Sequence, residues 1–298
     1  MQPHWLAGCV ALAQERSFTH AAELRHVTHP AFGRRIRALE SWAGTPLIER
    51  EASPVKLTAA GQAFLDTALQ MTRHLAQSHD ELMAIAGRQG RTVTLCTGRT
   101  LARTIVADWL VRLRPYLADG ELRISTRSLA DAVHDLQHGL ADFSILYHHP
   151  SLVVPLDGRQ FEHVALATDR LLPVSRTDAS GAPMYFLEAG CAPVPYIAYD
   201  RTLALGRLVE DLLAHHPLAA HLKRLVECDS PDANYEYVRK GLGVSWLPWS
   251  VVHADVKSGL LAPAGAKGLE VKFDVRMFRS KRRLSALAES LWSTIARR

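Results

Sequence analysis

The densest set of groups able to read a polyanion runs from Thr28 through His29, Pro30 and Ala31 to Arg34, Arg35 and Arg37. A guanidinium can bridge both acceptors on the major-groove edge of a guanine, and a threonine hydroxyl or histidine ring can donate or accept there. Arg50 and Lys56 follow shortly after. They suit phosphate oxygens, which set register without reading sequence. The competing explanation is the solvated basic face of an ordinary helical bundle, because residues 1–57 carry little net charge. The order of the surrounding elements favours the first.

Other chemistries are poorly provided for. The chain has no Gly-x-Ser-x-Gly, no phosphate-binding loop and no His-Glu-x-x-His. His148-His149 and His215-His216 are adjacent pairs, whose rings diverge on a strand or helix, so no metal site is expected. Cys9, Cys96, Cys191 and Cys228 lack Cys-x-x-Cys spacing, which argues against a zinc site or a disulfide framework. No cofactor is expected.

The elements that position the basic run are short. Trp5 to Ala13 has helical apolar spacing, and Ser17-Phe18-Thr19 breaks that helix, with Thr19 placed to cap the next one, His20 to Leu24. Thr28 is placed to cap a third helix, with Pro30 in its first turn, where a missing N–H does no harm. Phe32, Ile36 and Leu39 then repeat on one face, so Arg34, Arg35 and Arg37 fall outside it. Gly44 suits a C-cap. Leu47 to Arg50 and Val55 to Leu57 read as two short strands, a wing. Thr58 opens a long helix to about Ala86, whose Phe64, Ala68, Met71, Leu75 and Leu82 make a seam for a partner helix that lapses near Ser78-His79. Residues 87–90 read as a linker.

From residue 91 strands and helices alternate. Strands are expected at Val93–Cys96, Leu122–Thr126, Asp142–Tyr147, Arg170–Val174, Leu225–Cys228, Val244–Leu247 and Glu270–Met277. Helices are expected at Leu101–Leu117, Leu129–Gln137, Leu203–His215, Ala233–Lys240 and Leu284–Ile295. Such alternation implies right-handed crossovers and a parallel core sheet. The 298 residues allow a small binding module and a larger α/β body. With 48% apolar and 22% charged residues, a packed core is expected rather than disorder. Lys+Arg number 35 against 30 Asp+Glu, a net charge of +5, which permits a polyanion partner without requiring one. No uncharged apolar run approaches a membrane span, and the N-terminus lacks the pattern of a signal peptide. A cytoplasmic protein is the expectation.

The run Phe18-Thr19-His20-Ala21-Ala22, then Val27 to Glu40, Gly44 to Arg50, and Leu57-Thr58-Ala59-Ala60-Gly61 resembles the LysR-type transcriptional regulators. That family has Ser-Phe-x-x-Ala-Ala, Ser-Gln-Pro-Ala-x-Ser-x-x-Ile-x-x-Leu-Glu, Leu-Phe-x-Arg and Leu-Thr-x-Ala-Gly. Gly241 to Pro248 resembles the Gly-x-Gly-Ile/Val-x-x-Leu-Pro element of its effector domain. The resemblance implies an α+β multidomain chain: a winged helix-turn-helix (1–57), a dimerisation linker helix and hinge (58–90), and a periplasmic-binding-protein-like α/β effector domain of two subdomains (91–165 with 266–298, and 166–265). It places Thr28, His29, Pro30, Ala31, Arg34 and Arg35 at the front of the recognition helix, Thr19 on backbone phosphate and Arg50 on the wing. Gly33 stands where serine is common. The effector would sit between the subdomains, against Thr97, Gly98, Arg99 and Thr100, with Thr126, Tyr147, Tyr199 and Arg201 on the opposite walls. Arg99 and Arg201 make an anionic effector the expectation.

Trp5-Leu6, Pro30 to Glu40, Tyr199-Asp200-Arg201 and Gly243 to Pro248 are also similar to a hypochlorite-responsive LysR-type subgroup, which implies an oxidant as signal. Leu205 stands where that subgroup's sensing methionine would align. The expected partners are double-stranded DNA with a partly palindromic operator, one or three further copies of the chain, a small-molecule effector and RNA polymerase. The competing class is a small-molecule binding protein or an enzyme on the same α/β body, without a DNA role.

Overall fold

The computed structural model describes residues 2–49, 54–85, 92–117, 120–190, 192–214, 216–266 and 268–296. It divides into two compact units, residues 1–90 with 138–140, and residues 91–137 with 141–298.

The first unit contains α1 (Pro3–Glu15), α2 (Phe18–Leu24), α3 (His29–Ala43), β1 (Ile48–Glu49), β2 (Lys56–Leu57) and α4 (Ala59–Ile85). Its core is Cys9 and Leu12 from α1, Ala21 and Ala22 from α2, Phe32, Ile36 and Leu39 from α3, and Leu47 and Ile48. The cap of α2 is Ser17, whose hydroxyl accepts from the His20 N–H, rather than Thr19, which lies inside the helix. The α2–α3 turn closes through His26 in the left-handed region (φ 51°) and a Val27 N–H donating to the Ala22 carbonyl. Gly44 ends α3 at φ 72°, as its position in the sequence suggests. The wing strands pair antiparallel, Ile48 opposite Leu57. Arg50 and residues 51–53 lie outside the described residues.

The start of α4 is locked onto the wing. The Thr58 hydroxyl donates to the Pro46 carbonyl at 2.8 Å and accepts from the Gly61 N–H at 3.0 Å. One Glu40 carboxylate oxygen accepts from the N–H groups of Leu47 and Ile48 at 3.0 and 3.2 Å. A Cβ on Gly61 would stand 2.0 Å from the Leu47 carbonyl oxygen, so only glycine allows this approach. Along α4, Phe64 packs on the core of its own unit, tilted against Trp42, and Ala68 is buried. Met71, Leu75 and Leu82 remain exposed.

In the second unit, β3 (Thr92–Thr97), β4 (Glu121–Thr126), β5 (Phe143–His148), β6 (Phe161–Arg176), β10 (Leu261–Pro263) and β11 (Val271–Ser280) form one sheet in the order β10-β6-β11-β5-β3-β4, with β9 (Ser245–Pro248) also on β6. The expected parallel pairing holds for β4-β3-β5, but β11 runs antiparallel to both β5 and β6, so the sheet is mixed. The first part of β6 pairs with β11, and its last residues pair with β9 and β10. That strand therefore joins two lobes. One carries β3–β5, the other β7 (Val194–Tyr199), β8 (Leu222–Cys228), β9 and β10. The parallel pair β7-β8 reaches β9 through a bridge between Tyr196 and Val244. Gly243 permits it, since a Cβ there would meet the Pro195 carbonyl oxygen at 2.4 Å.

The helices of this unit are α5 (Arg99–Arg103), α6 (Ile105–Leu113), α7 (Leu129–Gln137), α8 (Ala204–Ala214), α9 (Pro231–Arg239), α10 (Trp249–Lys257) and α11 (Ala286–Ala296). The single helix expected over Leu101–Leu117 is two, broken where Thr104 leaves helical geometry (ψ −99°). Its hydroxyl donates back to the Thr100 carbonyl, a bond that competes with continued helix. Strands β7 and β10, helix α10 and the full length of β6 go beyond the expected elements.

Gly61→Ala is expected to destabilise the first unit by ~1–3 kcal/mol, because the clash is with backbone and cannot be relieved by a rotamer change. Urea denaturation checks this; an unchanged midpoint would contradict the packing of α4 on the wing.

Candidate functional site

In the first unit the chemistry lies on the outer face of α3. With Phe32, Ile36 and Leu39 buried, Thr28, His29, Pro30, Arg34 and Arg37 are exposed, and Ala31 and Arg35 half-buried. Thr28 begins the helix but makes no side-chain cap bond, so its hydroxyl is available. Among the described residues, none is a hydrogen-bond or ion-pair partner of Arg34, Arg35 or Arg37. The His29 ring leans edge-on against Phe18 at 6.0 Å, and Phe18 in turn meets Phe32 at 6.0 Å. These contacts set the angle of α2 to α3. Thr19 is exposed on the first turn of α2. Arg16 and Arg25, not singled out from the sequence, are exposed beside the same helix ends. The surface offers unpaired guanidinium groups and hydroxyls on a helix held at a fixed angle, which suits a groove edged by phosphates and base acceptors.

In the second unit the structure brings Thr100, Tyr147 and Tyr199 near one another and leaves Arg99, Thr126 and Arg201 exposed. The buried Thr97 hydroxyl donates to the Ile145 carbonyl at 2.9 Å and ties β3 to β5. Gly98 caps α5, with Thr100 buried just inside it. Arg99 and Thr126 are exposed. Arg201 is exposed and paired with Glu210 at 2.9 Å. Tyr199 is buried with its hydroxyl donating to the Trp246 carbonyl at 2.7 Å. Tyr147, at the end of β5, is 8% exposed, with its ring edge-on to Phe273. Thr100 is its hydrogen-bonding neighbour, though the pair falls short of strict hydrogen-bond geometry.

Sequence reasoning missed four residues here. Asp232 and Asn234 sit in the first turns of α9, capped by Ser230. Asn234 is fully buried; its amide donates to the Ala198 carbonyl at 3.2 Å and its Oδ1 accepts from nothing. Arg103 of α5 reaches across the lobes to Asp232 at 3.2 Å and lies over the Tyr235 ring at 5.3 Å. Asp169, on β6, is nearly buried and accepts from the Ser250 N–H at the start of α10. A second contact between the lobes joins the Ser151 hydroxyl to Asp211 at 2.6 Å. None of these belongs to a spaced motif, which is why the sequence did not single them out. Among the described residues no group of His, Cys, Asp and Glu could hold a metal ion. No described helix is long and apolar enough to cross a membrane.

Comparison with known proteins bears on both sites. The bacterial regulatory helix-turn-helix protein family, lysR type, matches residues 3–62, and the LysR substrate binding domain matches residues 86–298. The HTH-type transcriptional regulator YjiE of Escherichia coli is 25% identical over 98% of this chain and 93% of its own length. The crystal structure of Vibrio fischeri DarR in complex with DNA is 26% identical, covers 99% of this chain and 98% of that one, and has a TM-score of 0.59. Full-length HypT of Salmonella typhimurium, a hypochlorite-specific LysR-type regulator, is 26% identical, with coverage of 98% and 96% and a TM-score of 0.61. These families and relatives are regulators, which sets the enzymatic reading aside.

Burial first, and then the charges of Asp169 and Asp232, push the Tyr147 hydroxyl well above the ordinary phenol range. Burial does the same for Tyr199, helped by Tyr147 and Tyr196. The unfolded chain loses its phenol protons at pH ~10, so the stability held by these neutral phenols is fully present below that pH and is lost progressively as pH rises from there through the raised folded values. In an alkaline titration of tyrosinate absorbance, Tyr147→Phe and Tyr199→Phe should leave the amplitude of the first step unchanged. A smaller step in either variant would contradict their burial.

Proposed function

Because this chain belongs to the LysR family of bacterial transcriptional regulators, we propose that α3 enters the major groove of its operator, with Arg34, Arg35, Arg37, Thr28 and His29 facing the base edges. Pro30 and Ala31 keep the front of the helix narrow enough to approach. Thr19 and Arg50 hold phosphates. The single observation that carries this reading is the division of α3 into a fully buried stripe and an unpaired cationic face. The exposed Met71, Leu75 and Leu82 of α4 pair with the same residues of a second copy, whereas Phe64 and Ala68, expected from the sequence to share that seam, are taken up by their own unit. Two heads placed in this way require a partly palindromic operator. Dimers, alone or joined in pairs, act in the cytoplasm.

In the second unit, a small-molecule effector binds between the lobes, beside Thr100 and Tyr147. Effector occupancy favours one arrangement of the lobes over another, which changes how the dimer presents its two recognition helices. A small molecule suits the site better than an oxidant. The position that the hypochlorite-responsive subgroup assigns to methionine holds Leu205, which is buried in the core and has no sulfur to oxidise.

A gel shift with DNA upstream of the protein's own gene tests the first half of this proposal. Arg34→Ala should weaken specific binding by ~1–3 kcal/mol and relax the preference at one base position. Binding should also fall steeply with salt, as expected where phosphates are neutralised. Undiminished affinity and unchanged base preference in Arg34→Ala would remove that side chain from the interface.

A further inference from the structure

His148 follows Tyr147 on β5, so it points to the opposite face of the sheet. There, three basic groups from three strands meet. Nη1 of Arg276 (β11) lies 3.2 Å from Nε2 of His148 (β5) and 3.4 Å from Nε2 of His163 (β6). Nη2 of Arg276 donates to one Asp274 oxygen at 2.8 Å, and the Thr168 hydroxyl donates to the other at 3.4 Å. A guanidinium can only donate hydrogen bonds. Both ring nitrogens that face it must therefore accept, which fixes both imidazoles as neutral, with their protons on Nδ1. Protonation of either ring turns its acceptor into a donor and sets a second cation against the guanidinium. A bond is then replaced by a repulsion.

The location gives this chemistry leverage. Asp274 opposite His148 is the first pair of the ladder that β11 shares with β5, which runs on to Arg279 opposite Phe143. Before it, Val271 to Phe273 pair with β6 but not with β5. The register of β11 against β6 slips between Val275 and Arg276. Such a bulge interrupts the backbone ladder, so side chains carry more of the local grip. The cluster therefore stands where β11 passes from one lobe to the other.

We propose that His148, His163 and Arg276 form a proton-sensitive clasp on the strands that join the lobes. With both rings neutral, the guanidinium ties β5, β11 and β6 together. With a ring protonated, the tie opens and the crossover loosens. The signal read here is acidity, and it requires nothing bound between the lobes.

The groups around the clasp set its direction. Burial first, and then Arg276, hold the His148 ring below the ordinary histidine range; His163 and His149 act the same way, and Asp274 opposes them. Arg276 keeps Asp274 ionised, below the usual carboxylate range. His149 is turned to its own loop, where Nδ1 accepts from the Ser151 N–H at 3.1 Å. Glu162, beside His163, faces Arg279 at 3.4 Å. Helix α7 packs on this face through Ala132 and Leu136; its Asp131 and Asp135 are bonded to Ser128 and Arg127, and its His134 is exposed. The stability that the neutral His148 ring contributes is fully present above the unfolded value of ~6.5. It is lost as pH falls from there through the lowered folded value.

Hydrogen exchange of the full chain at about pH 7.5 and about pH 5.5, either side of the ordinary histidine value and corrected for intrinsic rate, tests this. Amides of β6 from Phe161 to Thr168 and of β11 from Asp274 to Arg279 should lose protection several-fold at the lower pH, while those of β7 and β8 hold. Combining His148→Gln with His163→Gln leaves side chains that still accept but do not titrate, and should keep the strands protected in acid. If that double variant is loose at both pH values, Arg276→Met decides: without the facing cation, the acid response should shrink several-fold. Strands equally protected at both pH values in the unaltered chain would overturn the clasp, as would an acid response undiminished in either variant. Equal loss in β7 and β8 would mark general acid unfolding and overturn it as well.

Discussion

Burial of Phe32, Ile36 and Leu39 decides which face of α3 meets solvent. Those three side chains fill the space left by Cys9 and Leu12 of α1 and by Ala21 and Ala22 of α2. Side chains between them on the helix have nowhere to go but outward. Arg34 and Arg37 are thus displayed by packing, not by any bond of their own. Everything else in the first unit stabilises that orientation. Phe18 wedges the two helices apart at a set angle, Glu40 ties the end of α3 to the wing, and Gly61 lets α4 close against it. A change in this core would move the reading face without touching a residue on it.

The second unit works by a different constraint. Strand β6 and its partner β11 give the lobes a shared backbone, so the lobes are distinct without being separate. Polar contacts that cross between them include Arg103 with Asp232 and Ser151 with Asp211, while one hydrophobic cluster runs through both. Such pairs are worth little where solvent reaches them. A ligand bound between the lobes, as proposed, would compete with them and bias the lobes.

The first unit was largely legible in the sequence, because its signals are local. The α3 stripe, Pro30 in the first turn, Gly44 after the last and Thr58 before α4 each report a backbone state within a few residues. The error at Thr19 was a matter of two hydroxyls flanking the first residue of the same helix, of which Ser17 has the extended backbone a cap requires. The second unit was less legible. The antiparallel course of β11 and the extent of β6 depend on partners about a hundred residues apart, which no periodicity records. For the same reason Asp232, Asn234 and Arg103 escaped notice. They meet through tertiary folding, whereas Arg201 had the right chemistry and a nearer partner in Glu210.

Photo-crosslinking tests most directly whether the outer face of α3 lies in the DNA groove. A photoreactive residue would replace Arg34, or the exposed Tyr116 of the second unit as a control, and each protein would be irradiated on the DNA upstream of its own gene. A crosslink to bases from position 34, with none from position 116, is the predicted result. Silence at position 34 while position 116 captures DNA would contradict the account.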